Sequence, residues 1–420
     1  MFMKTAIIGT GISGTGIAHL IHAHHDITVY EKNDYVGGHS RTKMVKTKNG
    51  DVPVDTGFIV FNKKNYPLLT ALFHHLNVPI SKTDMSFGVD INRGWLEYGT
   101  YHKLAGIFAQ KSNFLRPAYI KMLYDILRFN KLAPAYLENG TTLTLGELLD
   151  EMKMGSWFRD YYLLAMGAAI WSTPANKMED FPAQTFLRFF DNHGLLTVND
   201  HPQWYTVVGG SREYVKRIIQ PYEDRIRYNC GVKTVERTQN CMLVTDIHGN
   251  CEEYDQVVFA CHSDQAMRLL KNPTEAEKNI VGAVRYQPNE MVLHTDQSFM
   301  PKSKKAWASW IYQSDKQNID NKISLSYWMN NLQPLQTETP IIVTLNPARA
   351  PDAALVHDQC HFEHPVFDLA AIEAQKKIPE IQGKDRIWYC GAWQRYGFHE
   401  DGLLSAVNVA KMMGIEPEWK

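Results

Sequence analysis

A short apolar run, Thr5-Ala6-Ile7-Ile8, leads straight into Gly9-Thr10-Gly11-Ile12-Ser13-Gly14, and few backbone arrangements accommodate that order. The run reads as a buried parallel strand. Ile12 to His24 reads as the helix that follows, with Ile12, Ile17, Leu20 and Ile21 on its sheet-facing side. Ile27-Thr28-Val29-Tyr30-Glu31 reads as a second strand, completing a βαβ unit. In such a unit Gly9 permits the tight turn, Gly11 lets a diphosphate approach the backbone, and Gly14 lets helix and strand pack closely. The helix N-terminus offers N–H donors and the positive end of its dipole. Glu31, ending the second strand, is placed to accept from both hydroxyls of an adenosine ribose. The segment therefore binds a dinucleotide, but it does not by itself separate a nicotinamide from a flavin.

The rest of the chain has ordinary globular composition. With 420 residues, 44% hydrophobic and 21% charged, it can bury two or three domain cores. A net charge of −1 gives no electrostatic case for nucleic acid. The six cysteines include no C-x-x-C pair, so reduced, mostly buried thiols are expected. No secretory pattern precedes the first strand and no apolar stretch is long enough to span a bilayer, which predicts a cytoplasmic protein.

Apolar spacing predicts helices over Tyr66–Leu76, Leu143–Met152, Phe158–Trp171, Ala183–Asn192 and Ser211–Ile219. A further helical stretch starts near Asn113. Strands are expected at Val232–Arg237, Met242–Ile247, Val257–Cys261, Met291–His294, Trp307–Tyr312, Ile323–Tyr327, Ile341–Leu345 and Ile387–Cys390, with a closing helix over Leu403–Met413. The expected organisation is a discontinuous nucleotide-binding domain (1–83, 204–285, 366–420) interrupted by a second domain (84–203, 286–365).

A second paired-glycine turn, Val36-Gly37-Gly38-His39-Ser40-Arg41-Thr42, follows the Glu31 strand. Near the C-terminus stand Tyr389-Cys390-Gly391-Ala392-Trp393 and Tyr396-Gly397-Phe398-His399-Glu400-Asp401-Gly402-Leu403-Leu404-Ser405-Ala406. With these the chain resembles the flavin-containing amine oxidase and phytoene desaturase superfamily along nearly its whole length. Asp55 to Asn62 is similar to the family's strand and turn towards the flavin, and Trp204 to Val215, with Gly209-Gly210-Ser211 and Tyr214, to its return from the substrate domain. The His399-Glu400-Asp401-Gly402 stretch resembles a bacterial subgroup of FAD-binding oxidoreductases found beside, or fused to, cyclopropane-fatty-acid synthase-like enzymes.

The resemblance implies an α/β fold: a Rossmann-like FAD-binding domain of glutathione-reductase and amine-oxidase type, interrupted by an α+β substrate domain. It implies FAD as cofactor, with contacts from Gly9, Gly11, Ser13 and Gly14 at the first turn and Glu31 and Lys32 at the ribose. It further implies contacts from Gly37, Gly38, His39, Arg41 and Thr42 at the second turn, and Val232 at the adenine edge. Gly391, Gly402, Leu403 and Leu404 are implied beside the ring, with Gly402 opening a helix whose positive end faces the flavin. Two positions depart from the family. His39 stands where an arginine usually follows the glycines, leaving Arg41 to reach a phosphate. Ala392 replaces the acid that usually contacts the ribityl chain.

His399, in the loop expected to border the flavin, is the candidate proton acceptor, with Tyr396, Glu400 and Trp393 as neighbours. The reading is an FAD-dependent oxidase, dehydrogenase or desaturase acting on a hydrophobic or lipid-like substrate. Alternatives are a redox-neutral mutase resembling UDP-galactopyranose mutase, a flavin-holding partner of a lipid-modifying methyltransferase, and an NAD(P)-only dehydrogenase. The C-terminal motif and the lack of a second G-x-G-x-x-G argue against the last. No arginine set for a nucleotide-sugar diphosphate is identifiable.

Three patterns are set aside. His357, His361 and His364 have metal-like spacing, but Pro365 and its apolar neighbours suggest a strand end where they do not converge, so no metal is expected. His22, His24 and His25 read as the C-terminal end of the first helix. No G-x-S-x-G elbow supports a hydrolase. Arg116, Lys121, Arg128 and Lys131 decorate the helix carrying Phe114, Tyr119 and Met122, a pattern compatible with either a solvated face or peripheral contact with a membrane.

Overall fold

The computed structural model describes residues 2–171, 175–197, 202–314 and 324–419. Its first layer is the predicted βαβ unit: strand β1 (Met3–Ile8), helix α1 (Ile12–Ile21) and strand β2 (His25–Tyr30). Three later strands join them: β3 (Ile226–Arg227), β4 (Gln256–Phe259) and β5 (Ile387–Tyr389). The order is β3-β2-β1-β4-β5, with every pair parallel. Ala6, Ile7, Val257 and Val258 have no exposed surface, as a sheet covered on both faces requires. The order reverses beside β1, so the crevice above Gly9 is the topological switch point where such sheets bind ligands.

An antiparallel meander (Val232–Arg237, Met242–Asp246, Cys251–Tyr254) lies between β3 and β4 in the chain. The second large sheet has seven strands, ordered Val356–Val366, Arg285–His294, Ile342–Leu345, Ser324–Trp328, Trp310–Ser314, Phe87–Ile91, Leu96–Gly99. Its apolar face and the helices over 117–192 share one core, in which Phe129, Phe158 and Phe186 have no exposed surface.

Most predicted elements appear within a residue or two, and Ala183–Asn192 and Val232–Arg237 share both bounds. Ile323 lies outside the described residues. Three expectations are corrected. The helix predicted over Phe158–Trp171 contains a π turn at Arg159–Leu163 before the α-helix Leu164–Trp171. His25 does not close α1; it begins β2, where its Nδ1 lies 2.9 Å from the Thr5 hydroxyl. The closing helix, α2 (His399–Met412), starts four residues before Leu403, so Gly402 lies inside it rather than opening it. The cause is the acidic pair: Asp401 accepts from the Phe398 N–H at 3.0 Å and caps the helix from within its first turn.

All six cysteines are unpaired. Among the described residues no helix is long and apolar enough to cross a membrane.

Candidate cofactor and active site

The first glycine turn is shaped by contact. Gly9 has φ +102°, and a Cβ there would sit 2.8 Å from the Ala260 carbonyl oxygen at the end of β4. A Cβ on Gly14 would fall 1.9 Å from the Gly9 oxygen. Gly11 differs: a Cβ there would meet nothing within 4 Å among the described residues. Gly11 is also the N-cap of α1, with no capping side chain and no acid in the first turn. Its first amides are therefore left for an external anion. The second turn closes over this space. The Gly37 N–H donates to the Thr10 carbonyl at 3.1 Å, and Gly38, with φ +57°, lies against Gly11.

Glu31 is buried at the end of β2. It accepts from the Thr10 hydroxyl and, at 2.8 Å, from both the backbone and the side-chain nitrogen of Asn33. The Cys230 N–H donates to the Glu31 carbonyl at 2.8 Å, which brings Val232 and exposed Lys32 to the same end of the crevice.

The C-terminal motif arrives beside the first turn. A Cβ on Gly402 would lie 2.7 Å from Ile12 Cγ2 and 2.9 Å from Ser13 Oγ, so the first turns of α1 and α2 touch. Leu403 is buried, its side chain against Gly16 of α1; Leu404 is half-buried. Gly391 is needed because the Trp393 ring folds back over it, with Nε1 2.1 Å from a Cβ placed there. Ser405 clamps the two segments, accepting from the Gly391 N–H at 2.8 Å and donating to the Gly402 carbonyl at 2.6 Å.

Some expected contacts point elsewhere. Arg41 gives its guanidinium to Asp358 on the seven-stranded sheet (Nη2–Oδ1 3.1 Å) and to the Thr56 hydroxyl at 3.2 Å. Thr42 donates to Asp55 at 2.6 Å. His39 stacks on Phe362 with ring centroids 4.7 Å apart, and its Nε2 is enclosed without a partner among the described residues. Burial pulls its pKa down to about 4, so it is neutral at pH 7. His364 faces this ring, whereas His357 and His361 lie elsewhere on the extended strand Val356–Val366.

His399, the first residue of α2, stacks on Phe58 at 3.8 Å; its Nε2 lies 2.8 Å from the Ser40 hydroxyl and 3.0 Å from that of Tyr214. Burial, then the nearby His39, push its pKa to about 3. Glu400 turns the other way and accepts from the Leu68 and Leu69 N–H groups at 2.9 Å, capping the helix Pro67–His75. Burial lifts Glu400 to about 7 and Asp401 to about 6.

Two features were not visible in the sequence. Asp55 accepts from Thr42, from the Ser211 N–H at 2.9 Å and hydroxyl at 2.8 Å, and from Gln333 at 2.9 Å. No local spacing links residues 55, 211 and 333, although the Asp55 and Gly209-Gly210-Ser211 motifs each stand out. The second is an aromatic wall: Phe189 and His193, from the helix Ala183–Asn192 and its end, pack on Phe398 and Tyr396. Beside it lies a half-open cleft of about 170 Å³ lined by Phe181, Phe367, Ile372, Tyr396, Arg188 and Arg395, among others.

A family model described as flavin containing amine oxidoreductase matches residues 18–353. The chain belongs to this family. FAD is the cofactor of that family. Flavin-containing amine oxidase A from Canis lupus familiaris is 24% identical over 269 residues, covering 60% of this chain and 48% of that protein. The chain thus matches about half the length of that relative. Among solved structures, a putrescine oxidase variant superposes with TM-score 0.68 at 13% identity, covering 98% of both chains. A fatty acid isomerase from P. acnes gives 0.67 at 14%, covering 97% and 98%. A reduced UDP-galactopyranose mutase gives 0.66 at 14%, covering 99% and 94%.

The residues present fit the family's cofactor. An uncapped helix N-terminus behind an unfilled glycine suits a diphosphate, and the enclosed, unpartnered His39 Nε2 is a polar atom awaiting a partner. FAD, when bound, supplies the two-electron acceptor chemistry that amino-acid side chains lack. The matched region ends before Gly391 and begins after Gly14, so it is the fold that brings both cofactor motifs to the site.

Proposed function

We propose that this flavoprotein oxidises a hydrophobic, lipid-like substrate as an oxidase, dehydrogenase or desaturase. The observation that carries the reading is the lining beside the 392–398 loop. Phe189, Tyr396 and Phe398 form an aromatic wall, and the adjoining cleft sets Phe181, Phe367 and Ile372 against two guanidiniums. Arg395 leans over the Tyr396 ring at 5.0 Å and lies 3.6 Å from Asp401. Arg188 is exposed and has no ion pair or hydrogen bond among the described residues. Aromatic and aliphatic side chains beside two guanidiniums, with Gln184, Thr185 and Gln375 between them, suit an amphiphile with an anionic head better than a small amine.

In this reading segments 1–83, 204–285 and 366–420 hold FAD, and 84–203 with 286–365 face the substrate. Gly9, Gly11, Ser13, Gly14, Gly37, Gly38 and His39 serve the diphosphate, and Glu31, Lys32 and Val232 the adenosine. Gly391, Gly402 and the backbone at Leu403 and Leu404 border the ring. Arg41 and Thr42 hold the second turn in place through Asp358 and Asp55. His399 fixes Ser40 and Tyr214 rather than taking a substrate proton. The protein works in the cytoplasm, and a lipid-modifying enzyme is its expected partner.

The test is anaerobic mixing of the FAD-loaded protein with fatty acids, unsaturated acids and amines, read as loss of the flavin's visible absorbance. Bleaching by acids but not amines is expected; bleaching by amines alone would overturn the reading. The two guanidiniums are also what a redox-neutral mutase of an anionic substrate needs. Turnover that occurs only after chemical reduction of the flavin would select that alternative.

A further inference from the structure

The helix Pro117–Glu138 has two apolar faces, and only one is used inside the protein. Tyr119, Met122 and Phe129 are buried, and on this side the helix packs against the helix Ala183–Asn192, which carries Arg188 and Phe189. Ile120, Tyr124 and Leu127, at i, i+4 and i+7, form a second stripe that faces outward. Tyr124 is 61% exposed and Leu127 57%. The stripe continues into the turn before the helix, where Leu115 is 85% exposed and Phe114, stacked on Phe108, also faces out, and on to exposed Leu104. Tyr119 pins this hook to the helix by donating to the Ile107 carbonyl at 2.6 Å.

The exposed charges along this stretch of chain have one sign. Between Tyr101 and Leu137 the chain carries Lys103, Lys111, Arg116, Lys121, Arg128 and Lys131 against a single acid, Asp125. Asp125 has no exposed surface and is neutralised by Lys121 and Arg128. Solvent therefore meets an apolar ridge flanked by cations. The next acid along the chain is Glu138, at the far end of the helix, where Tyr136 donates to Glu151.

We infer that this ridge is a docking surface for an anionic lipid bilayer. Apolar side chains projecting beyond a cationic collar enter the headgroup region while the collar meets lipid phosphates, the pattern of helices that lie in a membrane interface. A protein partner would need acidic complementarity around an apolar groove. A second copy of this chain would bring two cationic collars together, which is unfavourable. Docking here places the bilayer one helix away from the aromatic wall and the two-arginine cleft. Its purpose, to deliver a lipid-like substrate, rests on the function proposed above.

The experiment is co-sedimentation of the FAD-loaded, full-length protein with phosphatidylcholine vesicles, with or without phosphatidylglycerol. Binding to the phosphatidylglycerol vesicles, released by high salt, is expected. The triple variant Leu115→Ser, Tyr124→Ser, Leu127→Ser should lose that binding by more than about tenfold while keeping its flavin content and melting temperature, because these side chains support no core. Lys111→Gln with Lys131→Gln should weaken it by about fivefold for each cation removed.

Absence of binding by the wild type, or equal binding by the triple variant, would overturn the inference. So would a dimer in analytical ultracentrifugation that the triple variant dissolves. Flavin bleaching by detergent-dispersed fatty acids is a separate reading. If it persists where vesicle binding fails, the surface is wrong and the substrate class stands; the reverse result removes the substrate class alone.

Discussion

The two helix N-termini that meet at this site are prepared in opposite ways. The start of α1 carries no acid and no side-chain cap, and Gly11 leaves the space before it unfilled. The start of α2 carries Glu400 and Asp401 in its first turn, both buried, and Asp401 closes its own N-cap. An uncapped terminus costs stability until an anion arrives, so α1 is built around a permanent ligand. At α2 the protein supplies its own carboxylates, and the net field there depends on whether they hold protons.

The comparison breaks most sharply at the glycines. Gly14→Ala puts a methyl 1.9 Å from a backbone oxygen that cannot move without undoing the turn. We expect a loss of more than about 4 kcal/mol, beyond the usual range for one substitution, and no bound flavin. Gly11→Ala meets open space and should cost the apo-protein no more than about 1 kcal/mol while lowering FAD affinity about tenfold or more, because the methyl occupies the ligand's place. Melting temperature and flavin content of the two purified variants separate these effects. Equal flavin retention in Gly11→Ala would show that α1 is not the anion site.

The acids at α2 predict a pH slope. Glu400 has a folded pKa near 7, above its ordinary 4.5. The folded state thus binds a proton that the unfolded state has released between those values, and stability contributed at low pH is lost as pH rises through about 7. From the size of the shift this amounts to roughly 2–3 kcal/mol over pH 5 to 8. Asp401, lifted from 3.8 to about 6, adds a decline at lower pH. Glu400→Gln should flatten the upper part of the slope and leave the Asp401 part. Chemical denaturation across that range reads both, and an unchanged slope in the variant would remove Glu400 as the source.

Gly402→Ala tests the contact between the two termini. Its methyl would press on the Ile12 and Ser13 side chains, which can shift, so the cost should be about 1–2 kcal/mol, well below that of Gly14→Ala. A cost as large as that of Gly14→Ala would mean the termini are locked backbone to backbone. The position also shows where the sequence is legible and where it is not. Ala183–Asn192 and Val232–Arg237 could be bounded from sequence because their apolar period runs cleanly into breakers at both ends. The start of α2 could not. Glu400 and Asp401 read as loop acids, and only the fold shows that one caps its own helix and the other the helix at Pro67. Likewise the chemistry of Asp55 depends on Ser211 and Gln333, brought together by topology rather than by any local spacing.

The smallest expected effect concerns the residue that joins the two regions. His399 begins α2 and holds Ser40, which follows the second glycine turn; its imidazole lies flat on Phe58 with Nε2 already shared by two hydroxyls. Burial keeps it neutral down to about pH 3, and both hydroxyls already engage its Nε2. A general base must instead present a free nitrogen lone pair to the substrate and gain a proton in a site that disfavours the charge. His399→Gln retains a hydrogen-bonding amide for Ser40 and Tyr214, which also bond to each other. If His399 is a positioning residue, kcat should fall less than about tenfold with the shape of the pH profile intact, and His399→Leu should do worse than His399→Gln. A proton acceptor would instead show a loss of about 10²- to 10⁴-fold in both variants. The rescue by glutamine, more than the size of either loss, distinguishes the roles, because glutamine can hold two hydroxyls but cannot carry away a proton.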